Sequence, residues 1–228
     1  MNYSRTFKNL ATHSGNRDAA KAAKDFCGTV RPETIYFFGK SGTGKTHLLT
    51  AIFNEFAKRG DTNIKYTTAE EFANDLFDAL VKKETLEFRQ AYRTRDLLII
   101  DDLQFICGKQ SVMQEFLNTL NAIFENGGAF IAAADRKPDE LDLDEPLKNR
   151  LCSGLTVELR LPDADGKLAV IESIAKRLHV KISDIKDVAA KNDNPWEIEG
   201  AIKSCGAAKA TKAFCRECAR SSEQPRSR

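Results

Sequence analysis

Eight consecutive residues, Gly39-Lys40-Ser41-Gly42-Thr43-Gly44-Lys45-Thr46, carry the most specific chemistry in this chain. They satisfy the pattern G-x-x-x-x-G-K-[ST] at each fixed position, and each residue type there has a task. Glycines at 39, 42 and 44 let the backbone turn sharply enough to aim successive N–H groups, including those of Ser41 and Thr43, at phosphate oxygens. Lys45 reaches the β- and γ-phosphates, and the Thr46 hydroxyl is a ligand for Mg²⁺. His47 opens the helix that follows and borders the same site. The expected ligand is a nucleoside triphosphate with Mg²⁺. A chance Gly-rich turn is the competing reading, but the apolar run Ile35-Tyr36-Phe37-Phe38 supplies the preceding strand and residues 47–59 read as the following helix.

A phosphate loop leaves the metal and the attacking water unassigned. Leu97-Leu98-Ile99-Ile100-Asp101-Asp102 supplies both: four apolar residues make a buried strand, and acids at the carboxyl end of a parallel strand fall where ligands collect. Asp101 is then the acid associated with Mg²⁺ and Asp102 the candidate for polarising water. Asp135 ends another apolar run, Ala133-Ala134-Asp135, and is a candidate for orienting water or touching the γ-phosphate. Arg150 lies beyond the core strands, where it is either a surface arginine or an arginine finger for a neighbouring subunit.

The elements that must hold these residues alternate. Strand-like runs at 35–38, 63–67, 97–100, 129–134 and 155–159 are separated by helix-like stretches, an α/β pattern with a parallel sheet between helices. The runs at 97–100 and 129–134 are apolar without alternation, as expected of central strands covered on both faces. Residues 111–125 carry Val112, Phe116, Leu120, Ile123 and Phe124 at helical spacing, a core stripe. After Pro162 the strand signals stop and helical stretches follow at 165–178, 182–191 and 195–214. The expected organisation is an α/β core over 1–161, a small all-α unit over 162–214 and a basic tail over 215–228.

Composition narrows the class. With 35 basic and 33 acidic residues the formal charge is +2, too small a global field to argue for nucleic acid. From Lys203 onward seven Lys or Arg face two Glu, so charge concentrates at that end, which reads first as a solvated tail. No run approaches the roughly 18 apolar residues of a membrane helix, and Met1 to Thr6 has no apolar leader core, so a cytoplasmic protein is expected. Six scattered cysteines then read as reduced thiols. Cys215-x-x-Cys218 has half the spacing of a zinc site and lacks a second pair.

Together these motifs resemble the AAA+ ATPase domain of the bacterial replication initiator DnaA. Tyr3, Phe7 and Asn9 with Gly15-Asn16 look like that family's adenine-side segment, and Gly44-Lys45-Thr46-His47-Leu48-Leu49 its loop exit. Tyr66 with Ala69-Glu70-Glu71-Phe72 resembles the segment that enters its initiator-specific helices, and Glu87-Phe88-Arg89 with Tyr92-Arg93 leads into its acidic strand. Asp101-Asp102-Leu103-Gln104-Phe105 is close to its acidic-strand signature. Asp135-Arg136 matches its sensor 1, Leu147-Lys148 with Arg150 its arginine-finger segment, and Glu197-Ile198-Glu199-Gly200-Ala201 its lid helix. The resemblance implies an AAA+ P-loop core with a helical lid and ATP-dependent assembly between neighbours. It also implies handling of origin or single-stranded DNA.

Three departures qualify this. Trp196 stands where the resemblance implies the sensor 2 arginine, and an indole N–H cannot replace a guanidinium on a phosphate, which separates ATP binding from ATP hydrolysis. Pro146 replaces a second arginine of the finger segment, and Ser111 a basic residue implied to hold single-stranded DNA. With Arg228 as the last residue, a helix-turn-helix domain for duplex DNA is not expected. The leading reading is an initiator-type ATP-binding core that self-associates. The alternatives are a regulatory adaptor docking on a full-length initiator or clamp, a loader for the replicative helicase, and a reduced gene copy. Met1 to Phe7 contains no Gln for the clamp-binding motif that the resemblance would associate with an adaptor.

Overall fold

A computed structural model describes residues 5–28, 34–61, 63–178 and 197–204. Helix α1 (Arg17–Gly28) precedes strand β1 (Thr34–Phe38) and α2 (Lys45–Lys58). Strand β2 (Ile64–Thr68) leads into α3 (Ala69–Lys82) and α4 (Thr85–Arg93), and β3 (Leu97–Asp101) into α5 (Gln110–Glu125). After β4 (Ala129–Ala134), α6 (Glu145–Cys152) and β5 (Leu155–Glu158), α7 (Ala164–Arg177) leaves the sheet, and residues 197–204 are again helical. Every pairing is parallel, in the order β2-β3-β4-β1-β5.

The unbroken apolar runs are resolved by the two-residue period of a strand, which sends neighbours to opposite faces. Tyr36, Leu98, Ile100, Phe130 and Ala132 pack with Phe72, Phe116 and Leu147 of the helices on one face. Ile35, Phe37, Leu97, Ile99 and Ile131 pack with Ala23 and Phe26 of α1 and Leu48 and Ile52 of α2 on the other. The α5 stripe behaves as expected: Phe116, Leu120 and Ile123 are fully buried. Helix α3 begins at a capping box in which Thr68 Oγ1 accepts from Glu71 N at 3.1 Å and Glu71 Oε2 accepts from Thr68 N at 2.9 Å.

A third, smaller apolar cluster joins α7 to the helical stretch 197–204 through Val170, Ile171, Ile174, Ile198 and Ile202, with Ala11 against it. The sheet contributes no residue to it. The stretch read as helix at 182–191, Trp196, and Cys205, Cys215 and Cys218 lie outside the described residues. Cys27, Cys107 and Cys152 are free thiols. Helix α1 went unread in the sequence: its buried face is Ala19, Ala20, Ala23, Phe26 and Cys27, so three of its five positions are alanines and only one is a large apolar residue. No helix among the described residues is long and apolar enough to cross a membrane.

Candidate functional site

The loop between β1 and α2 leaves the carboxyl edge of the sheet in a conformation its glycines make available. Gly39, Gly42 and Gly44 have φ of 155°, 83° and 99°. Gly39 also lies against the residue that follows β5: a Cβ there would come within 2.0 Å of the Leu159 carbonyl oxygen. Its N–H donates to Ala134 O at 3.2 Å, tying the loop to the end of β4. Gly44 is the N-cap of α2 and no side chain caps that end, so the helix presents first-turn N–H groups to the loop's concavity.

Lys45 folds back over this loop. Its Nζ donates to Gly39 O at 2.6 Å and to Lys40 O at 3.2 Å. Burial lowers the Lys45 pKa, and Asp101, Asp102 and Asp135 together oppose that shift, which places all three acids within electrostatic reach of one ammonium. Acids that lie 56 to 90 residues beyond Lys45 along the chain therefore share one electrostatic neighbourhood with it.

Asp101 is buried at the end of β3. Burial raises its pKa, while the nearby Thr46 hydroxyl and hydrogen bonds from Asp102 N at 2.9 Å and from Tyr66 Oη at 3.1 Å favour the carboxylate. Thr46 and Asp101 thus stand side by side as two hard oxygen donors. The described residues include no cluster of three or more His, Cys, Asp or Glu able to hold a metal alone. A pair of this kind suits Mg²⁺, which keeps few protein ligands and completes its shell with phosphate oxygens and water.

Asp102 takes the left-handed conformation, with φ 56° and ψ 46°. For an aspartate this is tolerated at some cost and turns the chain away from the strand. Its Oδ1 accepts from Gln104 Nε2 at 3.1 Å, and it lines the pocket. Asp135 follows β4, half-exposed, with both carboxylate oxygens held by Arg136 at 3.1 and 2.9 Å. That pairing, more than its weaker coupling to Lys45, holds its pKa below the usual carboxylate range.

The pocket has about 220 Å³ of free volume. Residues 41–46 form one wall. The facing wall was largely missed in the sequence. Arg5, Leu10, Ala11 and His13 come from the N-terminal segment, Val170, Ser173, Ile174 and Arg177 from α7, and Glu199 from the last helical stretch. Asn9 and Asn16 join them, and these two with Glu199 are the facing-wall residues the family resemblance includes. Ser173 Oγ donates to Asn9 O at 2.6 Å, and Ser14 Oγ donates to Asp163 Oδ2 at 2.7 Å, so the segment is strapped to α7. A further legible signal is the helical face Val170, Ile174, Arg177, apolar and then charged.

His47 lines the pocket, but its ring is engaged: Nε2 lies 3.1 Å from Thr6 O. Burial pushes its pKa down to about 4, so the ring is neutral and pins the N-terminal segment to the start of α2. Arg150 does not line the pocket. Its Nε and one terminal nitrogen donate to Asn121 Oδ1 at 3.1 and 2.8 Å, and the guanidinium lies 4.7 Å from the Phe124 ring centroid. Pro146 falls in the first turn of α6, where a missing N–H costs nothing, and Ser111 is exposed in the first turn of α5.

Comparison with known proteins gives a consistent result. The sequence profile of the bacterial DnaA ATPase domain matches residues 1–158. The chromosomal replication initiator protein DnaA of Levilactobacillus brevis is 35% identical over 209 residues, an alignment covering 89% of this chain and 46% of that protein. The chain thus spans about half the length of the curated relatives it matches. Domain III of the Thermotoga maritima replication initiation protein DnaA superposes with a TM-score of 0.90 at 31% identity, covering 93% of this chain and 92% of that one. A replication initiator DnaA bound to AMPPCP and single-stranded DNA gives a TM-score of 0.80 at 34% identity, covering 87% of this chain and 63% of that one.

Proposed function

Since the chain belongs to the bacterial DnaA ATPase domain family, we propose that it is an ATP-binding replication-initiation core. In this reading it binds ATP or ADP with Mg²⁺, assembles through ATP held between copies and handles single-stranded DNA in the cytoplasm. The observation that carries the reading is the polarity of the pocket. Lys45, Thr46 and Asp102 of the loop side line it, with Asp101 beside Thr46, and the N-terminal segment and α7 add the apolar Leu10, Ala11, Val170 and Ile174. A triphosphate with a purine base has that same division.

The phosphates exchange for the Gly39 and Lys40 carbonyl oxygens as partners of the Lys45 ammonium. Thr46 and Asp101 would hold Mg²⁺, which neutralises phosphate charge when bound. Asp102, already inside the pocket, is placed to polarise water, with Asp135 next to it along the sheet edge. Arg150 is turned toward Asn121 and Phe124 and not toward its own pocket, which favours service to a neighbouring copy's nucleotide. Residues 162–214 act as the lid, with 215–228 a basic tail. The relative solved with AMPPCP and single-stranded DNA supports both ligands.

Mass in solution by light scattering tests this, with ATP-Mg²⁺ and then ADP, each with and without a single-stranded oligonucleotide. ATP is expected to drive the wild type into oligomers and to leave Arg150→Ala monomeric. A protein monomeric under all conditions rules out the assembling core and moves the reading to an adaptor on a full-length initiator, clamp or helicase.

A further inference from the structure

The pocket holds a second cation whose present partner is a carboxylate. Arg177, the last residue of α7, continues the face on which Val170 and Ile174 line the pocket, and it donates to Glu199 Oε2 at 2.7 Å. Both side chains are largely buried, at 14% and 19% exposure, and both line the same pocket as Lys45. Their position along it is given by His47, one residue beyond Thr46: its ring feels the charges of Arg177 and Glu199 as well as that of Arg5. The pair therefore lies in the same pocket as the start of α2 and within electrostatic reach of it.

Glu199 has another partner. Lys203 Nζ lies 2.8 Å from Glu199 Oε1, one helical turn away. The carboxylate thus remains paired if Arg177 leaves it. An isolated pair would be costly to break, because it would strand a buried charge. With Lys203 in place, the guanidinium can exchange one anionic partner for another, and its planar fork suits phosphate as well as carboxylate.

We propose that Arg177 is a phosphate-contacting residue delivered by the helical unit, held by Glu199 until a nucleotide polyphosphate draws it away. The exchange couples occupancy of the pocket to the contact between α7 and the helical stretch 197–204. It rests on the reading of this pocket as a nucleotide site and adds a residue outside the loop motif. The apolar contacts of Val170 and Ile174 serve the base, and Arg177 distinguishes polyphosphate from nucleoside.

Calorimetric titration of the full chain with ATP, ADP and adenosine tests the proposal. Arg177→Gln is expected to weaken ATP by about tenfold or more, as loss of a charge-assisted contact does, with adenosine within about twofold of wild type. Glu199→Gln removes the competing charge and is expected to tighten ATP severalfold without changing adenosine. Arg177→Lys keeps the charge without the fork and should fall between wild type and Arg177→Gln. Equal weakening of ATP and adenosine by Arg177→Gln would mean a packing role and overturn the proposal, as would weaker ATP binding by Glu199→Gln. If Arg177→Gln does not fold, judged by its circular dichroism, Glu199→Gln and Arg177→Lys decide the matter. Lys45→Ala separates the two levels. Retained ATP affinity in that variant removes the nucleotide reading itself, whereas its loss beside an unaffected Arg177→Gln removes only the role given to Arg177.

Discussion

The wall formed by residues 41–46 is one continuous turn of chain, while the wall facing it is assembled from residues 5–16, α7 and Glu199. The first is shaped by backbone: three glycines at positive φ, one of them closed against Leu159, and a helix start that no side chain caps. The second is shaped by side chains reaching across the molecule, as Ser173 does to Asn9, 164 residues away in sequence. The difference teaches that the two walls fail differently. A backbone wall is strained by a side chain at any glycine held at positive φ, whereas a wall of separate contacts loses them one at a time.

The largest expected effect lies on the loop wall. Lys45→Ala should raise the ATP Kd by roughly 100-fold or more, since a buried charge-assisted partner of phosphate is removed. Its circular dichroism melt should stay close to wild type, because the lysine now bonds only to two loop carbonyls. Unchanged ATP binding in calorimetry would break the comparison at its strongest point.

Gly39→Ala comes next. A Cβ placed 2.0 Å from the Leu159 carbonyl cannot be accommodated without moving β5 or the loop. A loss of about 2–4 kcal/mol in denaturant unfolding is expected, together with loss of ATP binding. A variant as stable as wild type would show that the loop is softer than its geometry implies.

On the assembled wall the effects should be graded. Ser173→Ala removes the hydroxyl that holds Asn9 O and should cost about 1 kcal/mol. ATP affinity should fall by less than about tenfold, which a titration beside Lys45→Ala will show.

The smallest effect is a pH dependence. The His47 pKa is about 4 when folded, against 6.5 for a free imidazole, so the unfolded chain binds more protons between those values. Its contribution to stability is complete above pH 6.5 and is lost as pH falls toward 4. In thermal melts His47→Gln should lose Tm less steeply than wild type across that interval, by roughly 3–6 °C. His13, whose pKa is also lowered by burial, is present in both proteins and drops out of the difference. Equal slopes would detach His47 from the strap it makes to Thr6.

Much of this molecule was legible along the chain. Strands at 34–38, 97–101 and 129–134 declare themselves because runs of apolar residues have no other stable place than a sheet covered on both faces. Residues 39–46 and the acids at 101 and 102 were readable because their chemistry is contiguous: the turn, the donors and the charges follow one another along the backbone. Helix α1 was not, since three of its five buried positions are alanines, which bury without advertising it. Arg150 could be placed beyond the core strands, but nothing in its neighbours announced Asn121 and Phe124 as the surface it rests on.

What the sequence by itself determined is therefore whatever depends on nearest neighbours: the alternation of elements, the conformation of a Gly-rich turn, and the residues at the ends of strands. Tertiary structure alone decided that Asp101 meets Thr46, that residues 5–16 close over the start of α2, and that Arg177 and Glu199 share the pocket with Lys45. Strand order β2-β3-β4-β1-β5 brings the ends of β1, β3 and β4 to one edge, and packing of α7 against residues 197–204 sets the opposite side. Contacts of that kind arise from the packing of whole faces, and no single segment holds the information for both partners.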